Sequence, residues 1–322
     1  MTNFDKLVKQ IKKASNVFIT GHKNLDLDAL GSCAAVYNLC EKSRKKSYII
    51  IDDTKHESSI KKALKYIDEN LKYNILKYNE SKELINNDSL LIIVDTYSEK
   101  RIQNPKILKH ITNCIIVDHH LFGKPINSKY FIDSSASSCC EMFAEYYKKK
   151  GYRINKNIAN LLYGGIIIDT NNFSMKTTAV THEISAYLLK CGAKPLVVNE
   201  FIRGDIEDYI KIQKEIFNAE FYMKKYPIVK CNRNKQYDID ELAKISDALL
   251  MFNDVEASFT IGKINDTIIG VSARSLNSDA VDISKIMNKL GGGGSKTNAA
   301  AQLTDKSINE IVSYIKGELK WK

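Results

Sequence analysis

Four short runs rich in β-branched residues constrain the fold of this chain more than any other feature. They read NVFIT, SYIII, SLLIIV and CIIV and occupy residues 16–20, 47–51, 89–94 and 114–117. Polar stretches with helical spacing lie between them, such as ALGSCAAVYNLCEK. Strands that alternate with helices predict an α/β domain with a mostly parallel sheet, covered by helices on both faces.

Histidine and aspartate residues stand at the ends of the first, third and fourth of these runs. Because the loops after parallel strands converge at one edge of the sheet, where ligands bind, we expect these side chains to meet there. They are His22, Asp95, Asp118, His119 and His120. Asp169 ends the apolar segment NLLYGGIIIDT (160–170), which we interpret in the same way, as a strand-like run that delivers its aspartate to the same edge.

Two more aspartates lie close behind the first histidine, in HKNLDLDALGS. The predicted metal ligands are His22, Asp26, Asp28, Asp95, His119 and Asp169. Four carboxylates and two imidazoles exceed the four ligands of a zinc site, and they suit two divalent cations that share a bridging carboxylate. The imidazoles favour Mn²⁺, with Mg²⁺ or Co²⁺ as alternatives. Two such ions activate water and clamp a phosphoryl group, which predicts hydrolysis of phosphoesters or phosphoanhydrides.

Each of these residues also has an ordinary structural alternative. A single aspartate at a strand end is commonly a turn or helix cap, and a lone histidine is commonly a packing residue. The recurrence of the pattern after several runs favours the metal interpretation. By contrast, His56, His110 and His182 follow no such pattern, and we predict surface or packing roles for them.

The length of 322 residues exceeds one typical hydrophobic core and predicts two domains. Residues 1–194 form the predicted α/β domain with the metal site. Residues 195–224 are charged and helical in pattern and are predicted to form a connector. Residues 225–322 alternate strand and helix patterns and predict a smaller α+β domain.

The smaller domain contains a glycine run, LGGGGSKTNAA (290–300), whose backbone amides can approach a phosphate or a base because no Cβ obstructs them. A flexible loop is the alternative. Arg274 ends a predicted strand and can grip a phosphate with its planar fork, unless it is a plain surface residue. The predicted substrate-binding residues are Arg274, Gly291, Gly292, Gly293, Gly294, Ser295 and Asn298.

Composition limits the classes of partner and compartment. The formal net charge of +10 favours polyanionic partners. The sequence lacks a basic stripe with interleaved aromatic residues, so we do not expect it to bind long nucleic acid. No apolar run reaches the roughly 20 residues that span a bilayer, and the N-terminus lacks the apolar centre of a signal peptide. Seven cysteines without a CxxC pair predict reduced thiols. We therefore expect a cytoplasmic protein.

Four motifs resemble, in order, those of the DHH/DHHA1 phosphoesterase family. They are HKNLDLDALGS (22–32), IVDT (93–96), VDHH (117–120) and GGIIIDTNNF (164–173), and the glycine run resembles the family's DHHA1 motif. The resemblance implies two Mn²⁺ ions. It implies that one ion is held by His22, Asp26 and Asp95 and the other by Asp28, Asp95, His119 and Asp169. It also implies that His120 contacts the substrate phosphate or orients the nucleophile, and that Asp118 fixes a histidine.

Within that family, SARSL (272–276) and EASFTIG (256–262) most resemble the catalytic module of the cyclic di-AMP phosphodiesterases. The resemblance implies hydrolysis of cyclic di-AMP to pApA by a homodimer. A nanoRNase that degrades pApA and other very short RNAs is the alternative. A catalytically weakened nucleotide-binding protein is a third interpretation, because the family's glycine run usually ends in histidine where this chain has Ser295.

Overall fold

The computed structural model describes residues 3–53, 55–120, 126, 128–276 and 281–320. The chain divides into two compact units, Met1–Gly204 and Asp205–Lys322. The strands of the first unit are β1 Asn16–Thr20, β2 Lys46–Ile50, β3 Ile75–Leu76, β4 Leu90–Val94, β5 Cys114–Asp118 and β6 Lys129–Ile132. Its helices are α1 Asn3–Lys13, α2 Leu27–Lys42, α3 Ser58–Asn70, α4 Tyr78–Ser81, α5 Cys139–Lys149, α6 Lys156–Asp169, α7 Ala179–Lys190 and α8 Pro195–Ile202.

The strands of the first unit form one sheet in the order β3-β2-β1-β4-β5-β6, and every pairing is parallel. The predicted parallel sheet is therefore confirmed, although β3 and β6 were not predicted because they are short. The strand order reverses beside β1, which pairs with β2 on one side and β4 on the other. Such a reversal opens a crevice at the carboxyl ends of the two central strands.

Side chains alternate between the two faces of this sheet, as the strand period requires. In β1, Val17 and Ile19 join the large core beneath the long helices, whereas Phe18 joins a smaller core on the opposite face. That second face is covered by the short helix α4 and by 3₁₀ turns such as Pro105–Lys109. Both faces are buried, which explains why apolar residues occupy consecutive positions in these runs.

The segment 160–170 was predicted wrongly: it belongs to helix α6, and Asp169 is the last residue of that helix. An apolar run of this length fits a buried helix better than a strand. Helix α6 lies close against α2, because a Cβ at Gly165 would stand 2.9 Å from the Asp28 Cα. The glycine thus permits the contact that brings the ends of these helices to the same edge of the sheet.

The strands of the second unit are β7 Glu220–Tyr222, β8 Tyr226–Lys230, β9 Ala257–Lys263, β10 Ile269–Ser275, β11 Gly293–Gly294 and β12 Asn298–Leu303. Its helices are α9 Ile206–Ile216, α10 Ile239–Leu249, α11 Ile283–Lys289 and α12 Ile308–Lys320. The strands form a mixed sheet in the order β11-β12-β10-β9-β8-β7, in which β8 and β9 pair in parallel and the other neighbours pair antiparallel.

The segment 195–224 is not helical throughout. Helix α8 belongs to the first unit, α9 belongs to the second, and Glu220–Tyr222 is a strand of the second sheet. The glycine run is also more ordered than the flexible-loop alternative, because Gly293–Gly294 pairs with β12 in a hairpin. Across the described residues, no helix combines the length and apolar character that a membrane span requires.

Candidate metal centre

The carboxyl edge of the first sheet collects the predicted ligands. His22 lies just beyond β1, and Asp26 is the N-cap of α2, where its Oδ1 accepts from the Ala29 amide at 2.9 Å. The helix-cap alternative for Asp26 is thus realised, and its second oxygen still faces the site. Asp95 directly follows β4 with φ 58°, a left-handed backbone that aspartate tolerates better than most residues.

Asp95 stands between two histidines. Its Oδ2 lies 3.3 Å from the Nε2 of His22, and its Oδ1 lies 3.4 Å from the Nε2 of His119. The side chain is almost fully buried. A carboxylate placed in this way can offer one oxygen to each of two cations.

Two groups of donors therefore share Asp95. On one side, the Nε2 of His22 is 3.4 Å from the Oδ2 of Asp26. On the other, the Nε2 of His119 is 3.0 Å from the Oδ2 of Asp169 and 3.9 Å from that of Asp28. The ligand atoms of His22, Asp26 and Asp95 lie within 4.8 Å of one another, and so do those of Asp28, His119 and Asp169. The geometry brings all six predicted ligands to one place.

Asp28 is held rigidly by the first turn of α5. Its Oδ2 accepts from the backbone amide of Cys139 at 2.8 Å, and its Oδ1 accepts from that of Cys140 at 2.7 Å. A helix N-terminus favours negative charge, and each carboxylate oxygen keeps a lone pair beyond these bonds. The fold therefore supports a fully buried carboxylate that still has capacity for a cation.

Neighbouring carbonyl and carboxylate oxygens fix the histidine tautomers. The Nδ1 of His22 lies 2.7 Å from the Lys23 carbonyl, which can only accept, so Nδ1 carries the proton and Nε2 faces the site. The Nδ1 of His120 lies 2.8 Å from the Oδ1 of Asp118, which also accepts from the backbone amides of His119 and His120. Asp118 therefore holds both histidines of the VDHH motif.

The site carries more negative than positive charge. Burial, reinforced by the charges of Asp95 and Asp169, raises the pKa of Asp28 well above its ordinary value. Burial also raises the pKa of Asp169 despite the neighbouring imidazole of His119. Burial alone would lower the pKa of His22, but the carboxylates of Asp26 and Asp95 raise it to about 11. Four carboxylates share two imidazoles, so added cationic charge would relieve their repulsion.

The donor set fits divalent cations. Among the described residues, the buried Oδ1 of Asp95 and Nε2 of His119 have no hydrogen-bond partner of acceptable geometry. Buried polar atoms are nearly always satisfied, and a cation placed beside these two atoms would satisfy both. Carboxylates and imidazoles together are ligands that divalent metal ions accept.

In the second unit, Arg274 makes an ion pair instead of standing free. Its Nε donates to the Oδ1 of Asp247 at 2.7 Å, and its Nη1 donates to the Ala273 carbonyl at 3.1 Å. Arg274 is also the cross-strand partner of Asn298. The two predicted substrate-binding residues therefore lie side by side at one end of the sheet.

The glycine run has a packing role. A Cβ at Gly292 would lie 2.1 Å from the Ala300 carbonyl oxygen, and one at Gly294 would lie 2.3 Å from that of Asn298. Ser295 begins the turn of the hairpin, where its amide donates to the Asn298 carbonyl at 2.8 Å and its Oγ accepts from the Asn298 amide at 3.0 Å. The predicted residues thus form one hairpin end, held by its own hydrogen bonds.

Gln103 and Asp53 contact the loop that carries His22 and Asp26, here called the metal-site loop. Neither residue was predicted from the sequence. Asp52 and Asp53 follow the second strand-like run, so the rule that selected Asp95 also points to this position. Gln103 lies in a loop after a 3₁₀ turn and carries no such signal.

Comparison with known proteins agrees with this architecture. Residues 16–166 match the DHH family N-terminal domain, and residues 224–320 match the DHHA1 domain. The chain is 32% identical to the cyclic-di-AMP phosphodiesterase PdeA of Listeria monocytogenes over 97% of its own length, which spans 50% of that relative. It is 24% identical to the bifunctional oligoribonuclease and PAP phosphatase NrnA of Mycoplasma genitalium, covering 95% of this chain and 94% of NrnA.

A solved structure gives the same result for the fold. The exopolyphosphatase-related protein of Bacteroides fragilis superposes with a TM-score of 0.84 at 19% identity, covering 99% of this chain and 98% of that protein. Both domain matches stand in the order that the sequence motifs predict. The chain belongs to the DHH/DHHA1 family.

Proposed function

We propose that this chain is a phosphodiesterase that uses two Mn²⁺ ions to hydrolyse cyclic di-AMP to pApA. The observation that carries the proposal is Asp95, whose two carboxylate oxygens face the histidines of two separate donor groups. Such an arrangement supports a pair of cations, and paired cations serve hydrolysis of phosphate esters.

The chain's own residues would divide the work. His22, Asp26 and Asp95 would hold one ion, and Asp28, Asp95, His119 and Asp169 would hold the other. When bound, the two ions supply a water nucleophile at neutral pH and neutralise charge on the phosphate. The protein fixes these ligands in place beforehand, so little reorganisation is needed at the moment of reaction.

His120 is the best placed group for contact with the substrate. Its Nδ1 is bound to Asp118, and its side chain is 36% exposed. The Nε2 is then the ring nitrogen that remains to approach a phosphate oxygen or to orient the nucleophile. In the second unit, the cationic Arg274 beside Asn298 would bind the anionic or polar part of the substrate.

The relatives support the choice of substrate. The similarity to PdeA extends over both units, and the chain contains the segments that most resemble the cyclic di-AMP phosphodiesterases. A second candidate, degradation of pApA and very short RNAs, is favoured by NrnA, because the chain spans 94% of NrnA but only half of PdeA. A homodimer and a cytoplasmic location complete the proposal.

Time courses with cyclic di-AMP and with pApA in separate reactions test the proposal. Purified protein with Mn²⁺ is expected to consume the cyclic substrate and accumulate pApA. Faster conversion of pApA to AMP would instead identify a nanoRNase, because an end-dependent enzyme needs a free terminus. Absence of turnover on both substrates would contradict both activities, and a chelator control must abolish whichever activity is found.

A further inference from the structure

Gln103 lies beside the metal-site loop and uses its whole side-chain amide. Its Oε1 accepts from the backbone amides of Asp52 and Asp53 at 2.9 and 3.0 Å. Its Nε2 donates to the His22 carbonyl at 2.7 Å and to the Oδ2 of Asp53 at 2.6 Å. The residue is buried, and an amide offers two donors and two acceptor lone pairs, so this one is fully satisfied.

These bonds tie together the ends of the two neighbouring strands β1 and β2. The Gln103 backbone amide also donates to the Gly21 carbonyl at 3.1 Å, and Ile102 forms an isolated bridge with His22. On the far side of the loop, the Oδ2 of Asp53 accepts from the Leu25 amide at 3.4 Å. Gln103 and Asp53 therefore grip the backbone at His22 and immediately before Asp26.

We propose that Gln103, acting with Asp53, is a positioning residue for the cation held by His22, Asp26 and Asp95. The inference rests on the proposed metal site and assigns a role to residues that donate nothing to the cation themselves. His22 and Asp26 come from one loop, and this pair anchors that loop at two points. The other donor group is built on different elements: Asp28 is held by α5, His119 follows β5 and Asp169 ends α6.

Loss of this anchor therefore affects the two cations unequally. The substitution Gln103→Glu keeps the size of the side chain and both acceptors but removes both donors. It also places a carboxylate against Asp53 and against the His22 carbonyl. Residues that orient metal ligands typically contribute about 10–100-fold to metal affinity, and this is the loss that we expect for one ion only.

Titration of metal-free protein with Mn²⁺, followed by electron paramagnetic resonance of the free ion, tests the proposal. Wild-type protein is expected to bind two ions. Gln103→Glu is expected to bind one ion normally and the other about 10–100-fold more weakly. The matched control Gln10→Glu, which makes the same change on helix α1 of the same unit, is expected to behave like wild type.

Two further variants separate positioning from folding. Asp53→Asn retains the Gln103 bond to His22, so it is expected to weaken the same ion by a smaller factor. The double variant Gln103→Glu with Asp53→Asn no longer has two carboxylates facing each other, and the new asparagine amide can donate a hydrogen bond. We therefore expect partial recovery of the Mn²⁺ affinity. If circular dichroism shows that Gln103→Glu does not fold, Asp53→Asn alone tests the proposal. It is expected to weaken the affinity for one Mn²⁺ ion and not for the other.

Three results would overturn the inference. Unchanged binding of both ions in Gln103→Glu and Asp53→Asn would show that the anchor is irrelevant to the cation. Equal weakening of both ions in folded variants would indicate a general structural role. Wild-type protein that binds no Mn²⁺ would overturn the proposed metal site and this inference with it, an outcome distinct from the other two.

Discussion

The candidate polar residues of the two units differ in whether they are paired within the protein. In the first, Asp95 and His119 hold buried atoms that, among the described residues, lack a hydrogen-bond partner. In the second, Arg274 is paired with Asp247, and Ser295 bonds within its own turn. The side chains of the first unit therefore retain atoms that can bind a ligand, whereas those of the second unit are already hydrogen-bonded. The chemistry should therefore depend steeply on the first set and mildly on the second.

The largest effect is expected from Asp95→Asn. The substitution removes the shared carboxylate charge, and loss of several kcal/mol of transition-state stabilisation corresponds to roughly a thousandfold or more in kcat. Steady-state kinetics with Mn²⁺ measure it. The matched control is Asp266→Asn, an exposed aspartate of the second unit, which should retain wild-type rates. A folded and active Asp95→Asn protein would show that catalysis does not depend on the buried carboxylate of the first unit.

Metal addition should stabilise the first unit alone. A ligand that binds the folded state at 100 times its Kd adds about 2.7 kcal/mol to the free energy of unfolding. Mn²⁺ also neutralises the crowded carboxylates, among which burial and the charges of Asp95 and Asp169 raise the pKa of Asp28. Calorimetry of the chelated and Mn²⁺-loaded protein measures the shift. If Mn²⁺ raises the Tm of Asp95→Asn by the same amount as that of the wild-type protein, the stabilisation does not come from the site around Asp95.

Adjacent glycines in the hairpin should differ sharply. Gly292→Ala would place its Cβ 2.1 Å from the Ala300 carbonyl oxygen, and overpacking of this kind costs about 1–3 kcal/mol. Gly293→Ala is the control, because its Cβ would meet only the Asn288 Oδ1, at 3.7 Å. Urea unfolding compares them. Equal stability of the two variants would contradict the packing role of the glycine run.

The smallest effect is expected from Asp247→Asn, which removes the charged partner of Arg274. The pair is partly exposed, and ion pairs near the surface are worth about 0.2–1 kcal/mol, so KM should change by roughly one- to fivefold with little change in kcat. The Mn²⁺ affinity should stay at the wild-type value. A large loss of kcat would show that the second unit takes a direct part in the chemistry.

Much of the first unit could be predicted from the sequence. Strands buried on both faces are apolar throughout, so β1, β4 and β5 stand out, and their following residues mark the sheet edge. The position of Asp169 followed from the motif but its helix did not, because a buried apolar run does not reveal its period. The short strands β3 and β6 carry too few residues for a pattern.

Other features depend on contacts between distant parts of the chain. Gln103 reaches His22 across 81 positions of sequence, and no local pattern marks such a residue. The glycine run looked like a ligand loop, yet close packing against β12 explains Gly292 and Gly294 without any ligand. Sequence reveals residues whose chemistry is rare in a core, but not those that hold them in place.

Diffraction from Mn²⁺-soaked crystals, recorded near the manganese absorption edge, would locate the cations themselves. Two anomalous peaks are expected, one on each side of the Asp95 carboxylate, with His22 beside one and His119 beside the other. A single peak, or peaks that do not contact Asp95, would contradict the two-cation site and the phosphodiesterase mechanism built on it.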